Sequence, residues 1–119
     1  MKSNSYLMIE KAMEYIRENL TSELSLEVVS EKMSFSPIHF HNMFKSATGM
    51  TLRKYVEEQR ISKAANLLVT TDFTLTEIAY ECGFSSQSYF SYAFKYGNVL
   101  SRFPEVAKDP QTIYWHQDM

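Results

Sequence analysis

Hydrophobic side chains recur along this chain at intervals of three and four residues, which is the spacing of amphipathic helices. In the first twenty residues they alternate with a charged face, and the recurring positions are Ile9, Ala12, Met13, Ile16 and Leu20. The pattern predicts a first helix that ends near residues 19–22.

Capping signals divide the next segment into two shorter helices. Ser25 precedes the first of them. Ser36 followed by Pro37 is a strong start for the second, because proline lacks an amide hydrogen where a helix offers it no partner. Gly49 marks the predicted end of that second helix. Its predicted buried residues are Phe40, Met43, Phe44 and Ala47.

A longer helix is predicted from Thr51 to about Val69, and at ~1.5 Å per residue it is roughly 28 Å long. Its apolar side chains are Leu52, Tyr55, Val56, Ile61, Ala64, Ala65 and Leu68. Thr74 then opens another short helix. Because the chain has only three glycines and three prolines, a turn-rich β architecture is disfavoured and an all-α fold is predicted.

The two pairs of short helices are copies of one unit. A shift of 49 residues pairs Leu26 with Leu75, Val29 with Ile78, Ser30 with Ala79, Met33 with Cys82, Ser34 with Gly83 and Phe35 with Phe84. A shift of 50 aligns the Phe-x-x-x-Phe-Lys runs at 40–45 and 90–95. The second copy therefore has one extra residue in its turn.

A small residue followed four positions later by a turn glycine is typical of the helix-turn-helix, whose second helix, called the recognition helix, enters the DNA major groove. Ala79 and Gly83 fit this pattern well, and Ser30 and Ser34 fit it more loosely. The central helix is close in length to the ~34 Å between successive major grooves. Two helix-turn-helix units joined by a long central helix are predicted, so a monomer could reach two adjacent groove segments.

The sequence resembles the DNA-binding domain of the AraC/XylS family of bacterial transcription regulators, and it is closest in size to the stand-alone members. The matching segments begin LSLEVVSEKMSFSPIHFHNMFK and end FTLTEIAYECGFSSQSYFSYAFK, within residues 24–95. The run G-F-x-S-x-x-Y-F-x-x-x-F-K at 83–95 is among the most specific family signatures. The family fold, two helix-turn-helix units on a long helix, agrees with the prediction from the pattern.

The expected organisation has four parts: a first helix-turn-helix subdomain at 6–50, a linking helix at 51–69, a second helix-turn-helix subdomain at 70–103, and a tail of unassigned structure at 104–119. With five residues ahead of the first helix, we expect no separate ligand-binding domain.

The resemblance implies that the exposed face of the first recognition helix contacts DNA, through Ile38, His39, His41, Asn42 and Lys45. Asn42 suits adenine, His41 a guanine or a phosphate, and Ile38 a thymine methyl. Lys45 suits a phosphate. The alternative for each of them is an ordinary solvated face.

In the second recognition helix the corresponding candidates are Gln87, Ser88, Ser91, Tyr92 and Lys95. Gln87 is the best candidate for adenine, the two serines suit phosphate or flexible base contacts, and Lys95 suits backbone charge. Two interpretations of Tyr92 stay open: it stacks on sugars or donates to phosphate, or it covers the apolar face of the helix.

The net charge of −2 is unevenly distributed. Residues 31–63 hold six basic and three acidic side chains, whereas residues 64–119 hold three and six. Because phosphate neutralisation dominates affinity for DNA, we expect the first unit to anchor binding and the second to contribute less.

The sequence has no convincing pattern for metal binding, thiol chemistry or catalysis. His39 and His41 point roughly 200° apart on a helix, so they do not form a metal pair, and neither a metal nor another cofactor is predicted. Cys82 occupies the apolar position matching Met33, which favours a buried thiol over a nucleophile or redox sensor. The carboxylates are scattered and no glycine-rich phosphate loop occurs, so no enzyme activity is expected.

The family pattern weakens after Lys95, where Gly97 arrives about two residues early and Leu100 stands at the usual proline position. We expect a bacterial, cytoplasmic transcription regulator that binds promoter DNA as a monomer and contacts RNA polymerase, with no membrane segment. The family resemblance implies activation, and repression stays open as an alternative. The alternative is a degenerate member that acts as a protein-interaction module.

Overall fold

The computed structural model describes residues 4–96, and for Lys95 and Tyr96 it describes the backbone alone. This part of the chain contains no strand and forms helices α1 (Asn4–Glu18), α2 (Leu26–Lys32), α3 (Pro37–Thr48), α4 (Leu52–Thr70), α5 (Leu75–Glu81) and α6 (Gln87–Tyr96). The predicted all-α fold is confirmed. The predictions for residues 97–103 and for the tail 104–119 lie outside the described residues.

The chain divides into two compact units between Gln59 and Arg60, in the middle of α4. The first half of α4 contributes to the core of the first unit, and its second half to the core of the second. The long helix is thus part of both cores. The boundaries predicted for the subdomains stay predictions.

In the first unit α3 packs against both α1 and α2. The core combines the apolar stripe of α1 with the inner faces of α2, α3 and early α4, and its buried members are Ile9, Ala12, Ile16, Leu20, Leu24, Val29, Phe40, Phe44, Leu52, Tyr55 and Val56. The Arg17 guanidinium donates to the Tyr55 hydroxyl oxygen over 3.0 Å, which ties α1 to the start of α4. The inner face of α3 is therefore well buried in this core, and its opposite face is exposed.

One position was predicted wrongly. Ala47 is exposed, although its spacing from Phe40 and Phe44 places it on the inner side of α3. The cause lies at the end of this helix, where an open cavity of about 500 Å³ separates α1 from the α3–α4 corner and Ala47 lines it. Helical periodicity gives the direction of a side chain, but not where its neighbours stop.

In the second unit α5 packs against α6, and the second half of α4 completes the core. Its buried members are Ile61, Ala64, Ala65, Leu68, Ile78, Ala79, Cys82, Phe84, Phe90, Ala93 and Phe94. The start of α5 is fixed by a reciprocal cap: the Glu77 amide donates to Thr74 Oγ1 over 3.1 Å, and the Thr74 amide donates to the Glu77 carboxylate over 3.2 Å. The predicted start at Thr74 is confirmed.

Candidate nucleic-acid interface

The turns between α2 and α3 and between α5 and α6 have the same hydrogen-bond pattern. The Phe35 amide donates to the Ser30 carbonyl oxygen over 2.9 Å, and the Phe84 amide donates to the Ala79 carbonyl oxygen over 3.0 Å. Each bond spans five residues and closes the helix end in the manner of a Schellman motif. The predicted repeat is therefore present in the backbone as well as in the side chains.

Both turns place one residue in the left-handed conformation. In the second unit this residue is Gly83, with φ of 85°, which glycine adopts without steric cost. In the first unit it is Ser34, with φ of 65°, the only non-glycine residue with positive φ in the part of the chain the structure describes. The looser sequence match at Ser34 thus folds into the same corner, at a steric cost that the second unit avoids.

The recognition helices also begin in the same way. Ser36 Oγ accepts from the His39 amide over 3.2 Å at the start of α3, which confirms the predicted cap, and Ser86 Oγ accepts from the Tyr89 amide over 3.0 Å at the start of α6. Each serine satisfies an amide that has no partner within its own helix. The extra residue of the second copy, Ser85, lies between the turn and this cap.

Paired phenylalanines fix each recognition helix to its core. Phe40 and Phe44 of α3 are fully buried, with ring centroids 5.8 Å apart, and Phe90 and Phe94 of α6 are equally buried, with centroids 5.6 Å apart. Side chains four residues apart share one face of a helix. The opposite face of each helix is therefore the one available to a partner.

The outward face of α3 carries four of the five predicted contacts. Ile38 is 77% exposed, Asn42 and Lys45 are exposed, and His41 is half-buried. Positions three, four and seven apart lie within one stripe, so these side chains form a continuous surface. An exposed isoleucine beside an amide, an imidazole and an ammonium group offers a partner both apolar and hydrogen-bonding contacts.

His39 lies at the edge of that stripe and has a neighbour. Its imidazole is exposed and stacks on the Phe35 ring, with centroids 5.2 Å apart and planes at 11°. The equivalent pair in the second unit is Phe84 and Tyr89, with centroids 6.0 Å apart. Tyr89 is 40% exposed and was missed by sequence reasoning, although the 50-residue shift that aligns it with His39 could have found it.

On α6 the exposed candidates are Gln87, Ser88 and Tyr92, the last of which is 62% exposed, while Ser91 is half-buried. The side chain of Lys95 lies outside the described residues. Gln87 Oε1 accepts a hydrogen bond from the Thr76 hydroxyl of α5 over 2.9 Å, so this amide is held in place. The face of α6 is richer in hydroxyl groups than that of α3.

The two recognition helices differ in the number of exposed cations near them. In the first unit Lys45, Arg53 and Lys54 are exposed near the end of α3 and the start of α4, and Lys54 forms an ion pair with Glu58 over 3.3 Å. The helix before each recognition helix exposes two glutamates, Glu27 and Glu31 on α2 and Glu77 and Glu81 on α5. In the second unit Lys63 of α4 is exposed as well. The first unit therefore presents the more favourable surface to phosphates.

The structure accounts for the remaining candidate residue, Cys82, as part of a core. Its thiol is buried, and burial raises its pKa to about 11, an effect that the nearby Lys63 ammonium only partly offsets. A thiol with this pKa is protonated at neutral pH and is a poor nucleophile.

Across residues 4–96 no three histidine, cysteine or acidic side chains group as metal ligands would. Over the same residues no helix has the length and apolar character needed to cross a membrane.

The chain thus contains two helix-turn-helix corners with matching hydrogen bonds, and each corner is followed by a recognition helix with an exposed polar face. This arrangement is a double helix-turn-helix domain. The family model for the helix-turn-helix domain matches residues 29–97. The transcriptional activator RhaS of Salmonella schwarzengrund is 34% identical over 93 residues, which cover 78% of this chain and 34% of RhaS.

Two solved structures are similar as well. An AraC-type transcriptional regulator from Chromobacterium violaceum superposes with a TM-score of 0.78 at 25% identity, covering 92% of this chain and 98% of that one. The DNA-binding domain of AdpA, in complex with a target DNA, gives a TM-score of 0.70 at 26% identity, with 73% and 78% covered. The chain belongs to the AraC family. It spans about a third of the length of the curated relatives it matches.

Proposed function

We propose that this chain is a sequence-specific transcription regulator that inserts α3 and α6 into adjacent major-groove segments of double-stranded promoter DNA. The observation that carries the proposal is the duplicated corner: each unit has the same capped turn, the same buried phenylalanine pair and an exposed recognition face. A single such corner occurs in many helical proteins. Two copies in one chain, together with family membership, favour DNA as the partner.

Within α3, Asn42 is proposed to pair with adenine through its amide, and Ile38 to pack against a thymine methyl group. His41 and Lys45 are proposed to contact a guanine or phosphates, and His39 to add a contact at the edge of the face. The exposure of Ile38 supports its role, because an isoleucine that is 77% exposed contributes little to the core.

Within α6, Gln87 is proposed to contact a base, because it is the first residue of the helix and the first residues of a recognition helix reach base edges. Ser88, Ser91 and Lys95 are proposed to contact phosphates or sugars. Tyr92 and Tyr89 present phenol groups that can stack on sugars or donate to phosphate oxygens.

We further propose that the protein acts in the cytoplasm as a monomer on DNA, contacts RNA polymerase and has no enzymatic activity. The activator RhaS supplies the precedent for activation. Two binding units in one chain remove the need for a dimer, since two recognition helices already come from one molecule.

The proposal is tested by selecting binding sites from random duplex DNA at several salt concentrations, with a parallel selection that lacks protein. We expect an enriched site that spans two groove segments. We also expect affinity to fall between about 50 mM and about 200 mM salt by roughly 100-fold, as four phosphate contacts would give. No enrichment even at low salt would contradict the proposal and favour the protein-interaction module instead.

A further inference from the structure

One hydrogen bond joins the first helix of the second unit to its recognition helix at the surface. Thr76 is the second residue of α5, Gln87 is the first residue of α6, and the Thr76 hydroxyl donates to Gln87 Oε1 over 2.9 Å. Both side chains are exposed. The bond therefore lies at the N-terminal end of α6, and the N-terminal residues of a recognition helix are the ones that contact base edges.

This bond determines which groups of Gln87 are left for a partner. A hydroxyl has one proton to donate, and a glutamine amide has an oxygen with two lone pairs and a nitrogen with two hydrogens. With one lone pair of Oε1 used by Thr76, the amide keeps both N–H donors and one acceptor position. One donor beside one acceptor is the pair that matches N7 and N6 of adenine in the major groove.

The first unit shows that the corner does not need this bond in order to fold. The repeat aligns Thr76 with Glu27, and Gln87 with Pro37, whose ring has neither a donor nor an acceptor. The two turns nevertheless have the same backbone hydrogen bonds and the same serine caps. Because the first unit forms the same corner without an equivalent bond, we attribute the bond in the second unit to the orientation of Gln87.

We propose that Thr76 is a positioning residue that sets the base preference of Gln87 by holding its amide in one orientation. The inference rests on the proposed DNA-binding function. Without the hydroxyl, the side chain of Gln87 is free to rotate, and it must lose that rotational freedom on binding. An amide free to turn over also presents its donor and acceptor in either order, which weakens the distinction between adenine and the other bases.

The test compares Thr76→Val, which keeps the shape of the side chain but removes the hydroxyl, with Thr76→Ser, which keeps the hydroxyl. Both are made with Gln87 present and in a Gln87→Ala background. Competition binding measures the relative affinity for all four base pairs at the position where Gln87→Ala loses discrimination. Thermal unfolding of each variant provides the control for stability.

We expect Thr76→Val to reduce the preference at that base pair by roughly 3- to 30-fold, part of what a bidentate contact supplies. Thr76→Ser should retain the preference, and Thr76→Val should have no further effect when Gln87 is already alanine. An unchanged preference in Thr76→Val, or an equal loss of affinity for all four base pairs, would overturn this inference alone. If the wild-type protein selects no site, the proposed function fails as well.

Discussion

The two helix-turn-helix units have the same backbone geometry in their turns but form it with different residues. The second unit uses Gly83 in the left-handed position, and the first places Ser34 there, at φ of 65°. Both nevertheless close the turn with the same main-chain hydrogen bond, which the Phe35 amide donates to the Ser30 carbonyl oxygen and the Phe84 amide donates to the Ala79 carbonyl oxygen. The corner is therefore specified by the hydrogen bonds and the buried phenylalanines, while glycine lowers its steric cost.

The same comparison separates the two recognition faces by chemistry. The face of α3 combines an apolar side chain, an amide, imidazoles and the ammonium group of Lys45, and further cations lie on the first turn of α4. The face of α6 offers hydroxyl groups, phenols and one amide that accepts a hydrogen bond from Thr76. We infer that the first unit supplies most of the affinity, and that the second contributes less.

Among substitutions that test the difference between the two units, the largest loss of affinity for DNA is expected from removing the charge of Lys45 on α3. Lys45→Gln should lower affinity about tenfold at about 0.1 M salt and reduce the slope of log affinity against log salt by about 1, because one phosphate contact is lost. Lys95→Gln, at the equivalent position of α6, should cost less. Fluorescence anisotropy titrations at several salt concentrations measure both quantities.

The charge-matched control is Lys11→Gln on the exposed face of α1, which should leave the salt slope nearly unchanged. His41→Ala should likewise cost more affinity than Gln87→Ala. If the two substitutions in α6 prove the more damaging, the assignment of the anchoring role to the first unit is wrong.

A smaller effect is expected from exchanging the turn residues. Ser34→Gly should raise the free energy of unfolding by about 1 kcal/mol, because a serine Cβ is disfavoured at positive φ, and Gly83→Ser should lower it by a similar amount. Urea denaturation followed by circular dichroism measures both. Destabilisation by Ser34→Gly would show that the serine makes a contact worth more than the strain it carries.

Much of this architecture follows from local sequence signals. The caps at Ser36 and Thr74, the end of α3 at Gly49 and the repeat itself were predictable, because each depends on residues close together in the chain. The exposure of Ala47 was not, because it depends on where α1 leaves a cavity. Nor was the bond between Thr76 and Gln87, which requires the crossing geometry of two helices.

The candidate interface was predictable as a face, but not in its details. Helical spacing and the buried phenylalanines identify which side of each helix points outward. The stacking of His39 on Phe35 and the partial exposure of Tyr89 depend on ring packing around the turn, which periodicity does not specify. The sequence alone thus identifies the surface, and the structure adds how its side chains are held.

The most direct test of the account is to repeat the selection from random duplex DNA with Asn42→Ala and with Gln87→Ala. If α3 and α6 contact separate groove segments, each variant loses base preference in one segment only, and the two segments lie about one helical turn apart, roughly 10 base pairs. Loss of preference at the same base pairs in both variants, or at none in either, would contradict the claim that each unit contacts its own segment.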